Sequence, residues 1–225
     1  MMGKWMKRVL ILLTMLCVVL VCTYPLRGLF FGTSAGGVNG RTNADFGIAD
    51  FHSSVDKDGD GVDDQSDVLQ GARDYIATEP KYKSAYYDGG HPTDEFGVCT
   101  DVIAQAMLAT GYDLQALVDE DIHARPEAYN VATPDRNIDF RRVPNLQVYF
   151  QAHAVPLTTD LAQIDQWQGG DIVIFTNHIG MVSDVRNRKG VPYLIHHANP
   201  VQASYEEDVL ARYEKQIVGH YRLSE

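Results

Sequence analysis

The apolar residues of this 225-residue chain change their period once along its length, and that order constrains the fold more than any other feature. Val68, Leu69, Ala72 and Ile76 recur at helical spacing, as do Val102, Ile103, Ala106 and Met107 in the segment from Cys99 to about Thr110. Pro80 and Gly111 close these two segments. From Leu114 to Arg142 the pattern is mixed, with room for a short helix, and Asn145 to Ala152 fits a helix or a strand. Strand character follows at Asp171 to Thr176, Ile179 to Asp184 and Tyr193 to His197, and Ile217 to Leu223 alternates apolar with polar residues. Ser204-Tyr205-Glu206-Glu207 has the form of a capping box and predicts a helix carrying Val209, Leu210 and Tyr213. Helices first and strands later predict an α+β domain with a mostly antiparallel sheet.

The first 31 residues read as a signal-anchor. Lys4, Lys7 and Arg8 precede an uncharged run from Val9 to Pro25, which places the N-terminus in the cytoplasm and the rest of the chain outside. Cleavage after a signal peptide, near Thr33-Ser34-Ala35, is the competing reading and leaves the same exported domain. Residues 32–49, rich in Gly, Asn, Thr and Ser, read as a flexible tether, and 50–225 as one domain. The formal net charge is −11, and without the four N-terminal cations Lys4, Lys7, Arg8 and Arg27 it is −15. So acidic a surface repels phosphates, which excludes nucleic acid as a partner. The domain is expected to be a monomer.

Cys17 and Cys22 lie inside the apolar run, so the exported part holds a single cysteine, Cys99. A lone thiol outside the cell has no intramolecular disulfide partner, and its presence there points to chemistry. Gly97-Val98-Cys99-Thr100-Asp101 is a loop entering a helix. A helix start lowers a thiol pKa and offers amides to an oxyanion, and Gly97 permits a sharp entry turn. A buried small hydrophobe is the competing reading. His178 heads an apolar strand from which an imidazole can face a nucleophile. His196, His197 or Asn199 can supply the acceptor that orients it. Asp139, Arg141, Arg142 and Asn145 form a second cluster, whose arginines suit a substrate carboxylate or, alternatively, a structural salt-bridge knot. Tyr86 and Tyr87 are candidates for lining a groove near Cys99.

Residues 56–67 match a calcium loop. Asp56, Asp58 and Asp60 occupy alternating ligand positions, Gly61 the sharp turn, Val62 the backbone-carbonyl position, Asp64 a direct or water-mediated position and Asp67 the twelfth. That many carboxylates repel one another without a cation, and the expected role is structural.

The combination resembles the papain-like superfamily of cell-wall cysteine peptidases, of the NlpC type, over about Gly97 to Leu223. The motifs are a cysteine at a helix start, Gly169-Gly170-Asp171 before an apolar strand, His178-Ile179-Gly180-Met181, and a polar residue after Leu194-Ile195. Asn137-Ile138-Asp139, Arg141-Arg142-Val143-Pro144-Asn145-Leu146 and Gly219-His220-Tyr221 are similar to a bacterial branch filed as a domain of unknown function. The resemblance implies a papain-like fold with Cys99 as nucleophile, His178 as general base and acid, and His196 as the orienting residue. It implies an extracytoplasmic cysteine hydrolase acting on peptide or amide bonds of peptidoglycan, with no cofactor for catalysis. A calcium-dependent envelope binding module without turnover, and an esterase or thioesterase on the same fold, are the rival expectations.

Overall fold

The helices form where apolar spacing and end-capping agree. In the computed structural model, which describes residues 40–225, α1 (Asp64–Ile76) opens on Asp63, whose carboxylate accepts the Ser66 backbone N–H. It buries Val68, Leu69 and Ala72 against α2 (Cys99–Ala109), which buries Val102, Ile103, Ala106 and Met107. The two helices approach closely because α1 has a glycine at the crossing: a Cβ on Gly71 would stand 2.8 Å from the Ala109 Cβ. α3 (Leu114–Ala124) is capped by Asp113, and the short α4 (Arg136–Asp139) by Asp135. The ambiguous segment after it is α5 (Val143–His153), with Pro144 in its first turn and Leu146 and Phe150 fully buried one turn apart.

The strands are β1 (Lys81–Tyr82), β2 (Phe96–Gly97), β3 (Val155–Pro156), β4 (Ile172–Phe175), β5 (His178–Arg186), β6 (Pro192–Ile195), β7 (Glu206–Glu207) and β8 (Ile217–Arg222). β1 and β2 form a small parallel pair that feeds directly into α2. The other six form one sheet in the order β3-β8-β4-β5-β6-β7, antiparallel throughout. The architecture is α+β with an antiparallel sheet, as the change of period predicts. Ile172, Ile174, Ile179, Met181 and Ile195 face the helices, while Val173, Phe175, Val182 and Leu194 pack on the other side with Trp167 and Leu210. Burial on both faces is why these strands read as nearly continuous apolar runs.

Two expectations are corrected. Glu206 and Glu207 do not open a helix: they form β7, in register with Ile195 and Leu194, and the helix behind them is only the four-residue α6 (Leu210–Tyr213). Both carboxylates have long-range partners, Ser183 and Arg73 for Glu206 and His196 for Glu207, and these hold the segment extended. Part of the expected tether is docked. Arg41 and Arg186 exchange backbone hydrogen bonds of 2.9 and 2.7 Å. The buried Arg186 guanidinium also donates to Asn43 Oδ1, so the folded domain begins near residue 41 and not at 50. The signal-anchor at 1–31 and the tether up to residue 39 lie outside the described residues. Among the described residues no helix is long and apolar enough to cross a membrane.

Candidate functional site

Cys99 is the first residue of α2, and the turn beneath it is tightly built. Asp101, fully buried, reaches back to the Val98 backbone N–H at 2.8 Å. Arg141 grips the same carboxylate with two hydrogen bonds, Nε to Oδ1 at 2.8 Å and one terminal nitrogen to Oδ2 at 2.9 Å. Its other terminal nitrogen donates to the Ala85 carbonyl at 2.7 Å, and its guanidinium carbon lies 5.1 Å from the centre of the Tyr87 ring. Tyr87 is buried and donates its hydroxyl to Asp94. Arg141 and Tyr87, expected among the substrate contacts, are therefore scaffold behind the loop that carries Cys99. Gly97 is needed for a different reason from the one expected: a Cβ there would lie 2.1 Å from the Tyr75 hydroxyl, and its φ is not in the left-handed region.

The thiol is partly buried against the main core, close enough to the Ile179 backbone N–H for that amide to pull its pKa down. Burial pushes the thiol up to about 11, outweighing the downward pull of the Ile179 and Thr100 amides. The expected lowering by the helix start is thus overturned by desolvation. Among the described residues, no hydrogen bond joins Sγ to the rings of His178 or His196.

The two histidines are linked to each other and then to a carboxylate. His178 Nε2 lies 2.9 Å from His196 Nδ1, and His196 Nε2 lies 3.1 Å from Glu207 Oε2. Burial, helped by the neighbouring imidazoles, pushes His178 down to about 3 and His196 down to about 4, so both rings are neutral near pH 7. A neutral ring carries one proton, and the carboxylate of Glu207 can only accept. His196 therefore keeps its proton on Nε2 and accepts through Nδ1. His178 must then donate from Nε2, which leaves its Nδ1 as a bare lone pair. The chain of partners leaves one basic nitrogen on the residue next to Ile179, whose amide pulls the thiol pKa down.

Of the three candidates for orienting His178, the structure brings His196 to it. His197 is buried edge-on between the rings of Tyr82 and Tyr205, and Asn199 accepts the Val201 amide in a turn. Glu207 and Gln202, whose Nε2 lies 3.3 Å from Glu207 Oε2, belong to the site and were hidden by the capping-box pattern of Ser204 to Glu207. Asp171 of the second motif is fully buried and accepts from Arg222, Gln65 and His220, tying β4 to β8 and α1.

Arg142 and Asn145 part company with Arg141. Both line a cleft of about 490 Å³, with Asn130, Val143, Pro144, Val148 and Asn177, and Asn177 immediately precedes His178. The Arg142 side chain is half-exposed and makes no hydrogen bond among the described residues, where Asp139 pairs with it at 3.4 Å. Asn145 is buried and donates to the Asp139 carbonyl. Exposed Tyr86 accepts from Asn137 at 3.2 Å.

In the acidic loop, Asp56, Asp58 and Asp60 each offer an oxygen within 4.8 Å of the others. Asp67 faces them, its carboxyl pushed up to about 6 by burial and then by the charges of Asp60, Asp58 and Asp56. Asp64 departs from expectation: it is buried and its oxygens accept the Lys57 amide and the Tyr112 hydroxyl, at 2.7 and 2.5 Å. It clamps the loop to the turn that follows α2.

A family model described as "Domain of unknown function (DUF1287)" matches residues 69–223, a span that holds Cys99, His178, His196 and Glu207 and leaves out the acidic loop. The protein called "Uncharacterized protein YijF" of Escherichia coli (strain K12) is 39% identical over 168 residues, covering 69% of this chain and 80% of that protein. No solved structure matches. Because the matched span takes in α2, the whole six-stranded sheet and every residue of the relay, the chain belongs to the DUF1287 family.

Proposed function

We propose that this domain is a papain-like cysteine hydrolase of the cell envelope, acting on peptide or amide bonds of peptidoglycan by acyl transfer. The observation that carries the reading is the ordered relay from Glu207 through His196 to His178, which leaves Nδ1 of His178 as a bare lone pair one residue before Ile179, whose amide pulls the Cys99 thiol pKa down. In the proposed cycle Nδ1 takes the thiol proton as Sγ attacks the substrate carbonyl. His178 then passes that proton to the leaving amine, and water, deprotonated by the same nitrogen, hydrolyses the thioester. The resting pair is thiol and imidazole, both neutral, so deprotonation accompanies substrate entry. Residues 1–31 hold the domain outside the cytoplasm in this reading. The loop 56–67 is proposed to bind one structural calcium through Asp56, Asp58, Asp60 and Asp67, since three carboxylates already converge and the fourth is crowded by them.

One observation favours a second reading, a calcium-dependent envelope-binding module without turnover: the thiol is pushed up and lacks an imidazole contact. The two separate by experiment. Peptide release from isolated murein sacculi, followed by mass spectrometry, is expected from the wild type and lost in Cys99→Ala and His178→Ala. At pH 7, iodoacetamide labelling of Cys99 is expected to slow by at least about tenfold in His178→Ala, the size of ordinary general-base assistance or less. A thiol that labels equally in both proteins, with no released fragment, would leave the binding module as the answer. Turnover of acyl esters in place of murein peptides would transfer the same site to an esterase.

A further inference from the structure

The one charged group lining the cleft beside His178 is Arg142, in a domain whose charge is otherwise strongly negative. Its guanidinium makes no hydrogen bond among the described residues, in contrast to Arg141, which donates three. Asp139 approaches one terminal nitrogen at 3.4 Å, and the side chain belongs to a residue that lines the cleft. Asn145 gives its Nδ2 to the Asp139 carbonyl, and among the described residues its Oδ1 accepts no hydrogen bond. An amide fixed through its nitrogen at the wall of the cleft leaves its oxygen to accept from a ligand. Val143, Pro144 and Val148 give the cleft an apolar wall.

From this arrangement we propose that the cleft is the specificity subsite for a peptide bearing a free carboxylate, with the carboxylate on Arg142 and a peptide N–H on Asn145 Oδ1. The inference rests on the hydrolase reading for its purpose, because Asn177, His178 and Ile179 are consecutive. Asn177, in the β4–β5 turn, lines the cleft, and His178 opens β5 directly after it, which brings the cleft next to the proposed base. A fixed fork of N–H donors selects a planar carboxylate over a neutral amide, and the acidic surroundings disfavour anions that do not reach it.

The test uses the full chain carrying Cys99→Ser, so that binding is read without turnover. The probes are N-acetyl-alanyl-alanine and its C-terminal carboxamide, titrated against the side-chain amide resonances of Asn130, Asn145 and Asn177. The acid is expected to bind about tenfold or more tightly than the amide, a charge-assisted bidentate pair's worth, and Arg142→Gln is expected to erase that preference. Equal binding of the two probes, a preference that survives Arg142→Gln, or shifts mapping away from the three asparagines would overturn the proposal. Arg142-dependent binding in a protein whose wild-type thiol proves inert would sink the hydrolase reading and keep the cleft.

Discussion

Glu207 determines which nitrogen of His178 is basic, although it never touches that ring. A glutamine in its place is nearly isosteric but offers an N–H as well as a carbonyl. In Glu207→Gln, His196 can meet an N–H donor and turn its own proton to Nδ1, where it confronts His178 Nε2. The expected result is a ten- to hundredfold loss of His178-dependent labelling of Cys99, the range found for residues that orient a working imidazole. Nitrogen-15 shifts of the two rings would report the tautomers directly. Unchanged ring tautomers with full reactivity would show that Glu207 merely pairs β7 with β6. At this scale the legible residues were those whose signal is local. Cys99 stands alone in a glycine-led loop, and His178 heads an apolar strand. Arg141 and Arg142 are adjacent and chemically identical, and only the packing tells them apart, one buried on Asp101 and one left at a cleft. Glu207 was not legible because its partner is eleven residues back in the chain and across a strand pair.

The elements that could be read were those whose period is decided within a few turns, namely α1, α2, the strands from β4 to β6 and β8. α5 could not be assigned, since Leu146, Val148 and Phe150 alternate while Leu146 and Phe150 also stack one helical turn apart; Pro144 at its start and burial of the second pair decide for the helix. The capping box at Ser204 gave the wrong element because Arg73, Ser183 and His196 outbid local preference. The docked stretch from Arg41 to Asn43 looks like linker by composition, and its place is set by the Arg186 guanidinium. The acidic loop belongs to this scale because it joins three elements. Lys57 lies over the Tyr112 ring at 5.7 Å, Asp64 accepts the Tyr112 hydroxyl, and a Cβ on Gly111 would be 3.3 Å from the Asp58 Cβ. A cation gathered by this loop would stabilise the start of α1 and the end of α2 together. Millimolar calcium is expected to raise the thermal midpoint, by an amount that corresponds to about 2.7 kcal/mol at a hundredfold excess over its dissociation constant. Asp58→Asn combined with Asp60→Asn is expected to remove the response to calcium and to chelator. A midpoint indifferent to calcium in the wild type would reduce the loop to a solvated turn.

For the whole molecule, the relay imposes a pH dependence that can be derived with its sign. In the unfolded chain His178 and His196 titrate near 6.5, and in the folded domain burial holds them down at about 3 and about 4. As pH falls through 6.5 the unfolded state takes up protons that the folded state refuses, so unfolding gains and stability drops. Each histidine contributes a slope of at most about 1.4 kcal/mol per pH unit, from 6.5 down to its folded value. Asp63, held low at about 2 by hydrogen bonds from Ser66, Ser53 and His52 that overcome its burial, loses its contribution only below the ordinary carboxylate range. Asp67 and Glu207 act in the opposite direction, since carboxyls pushed up by burial gain protons on folding and lose that stability as pH rises. The raw profile therefore mixes signs, and the informative quantity is a difference. Replacing both histidines by glutamine removes their two protons from the balance but leaves Asp67 in place. Urea midpoints measured from pH 7 to pH 4.5 are expected to fall more steeply in the wild type than in the double variant, with the two curves parallel above pH 7. Parallel curves throughout would mean that the imidazoles titrate in the folded domain as they do in the unfolded chain, and rings so solvated would not be held in the single tautomer that leaves Nδ1 of His178 bare.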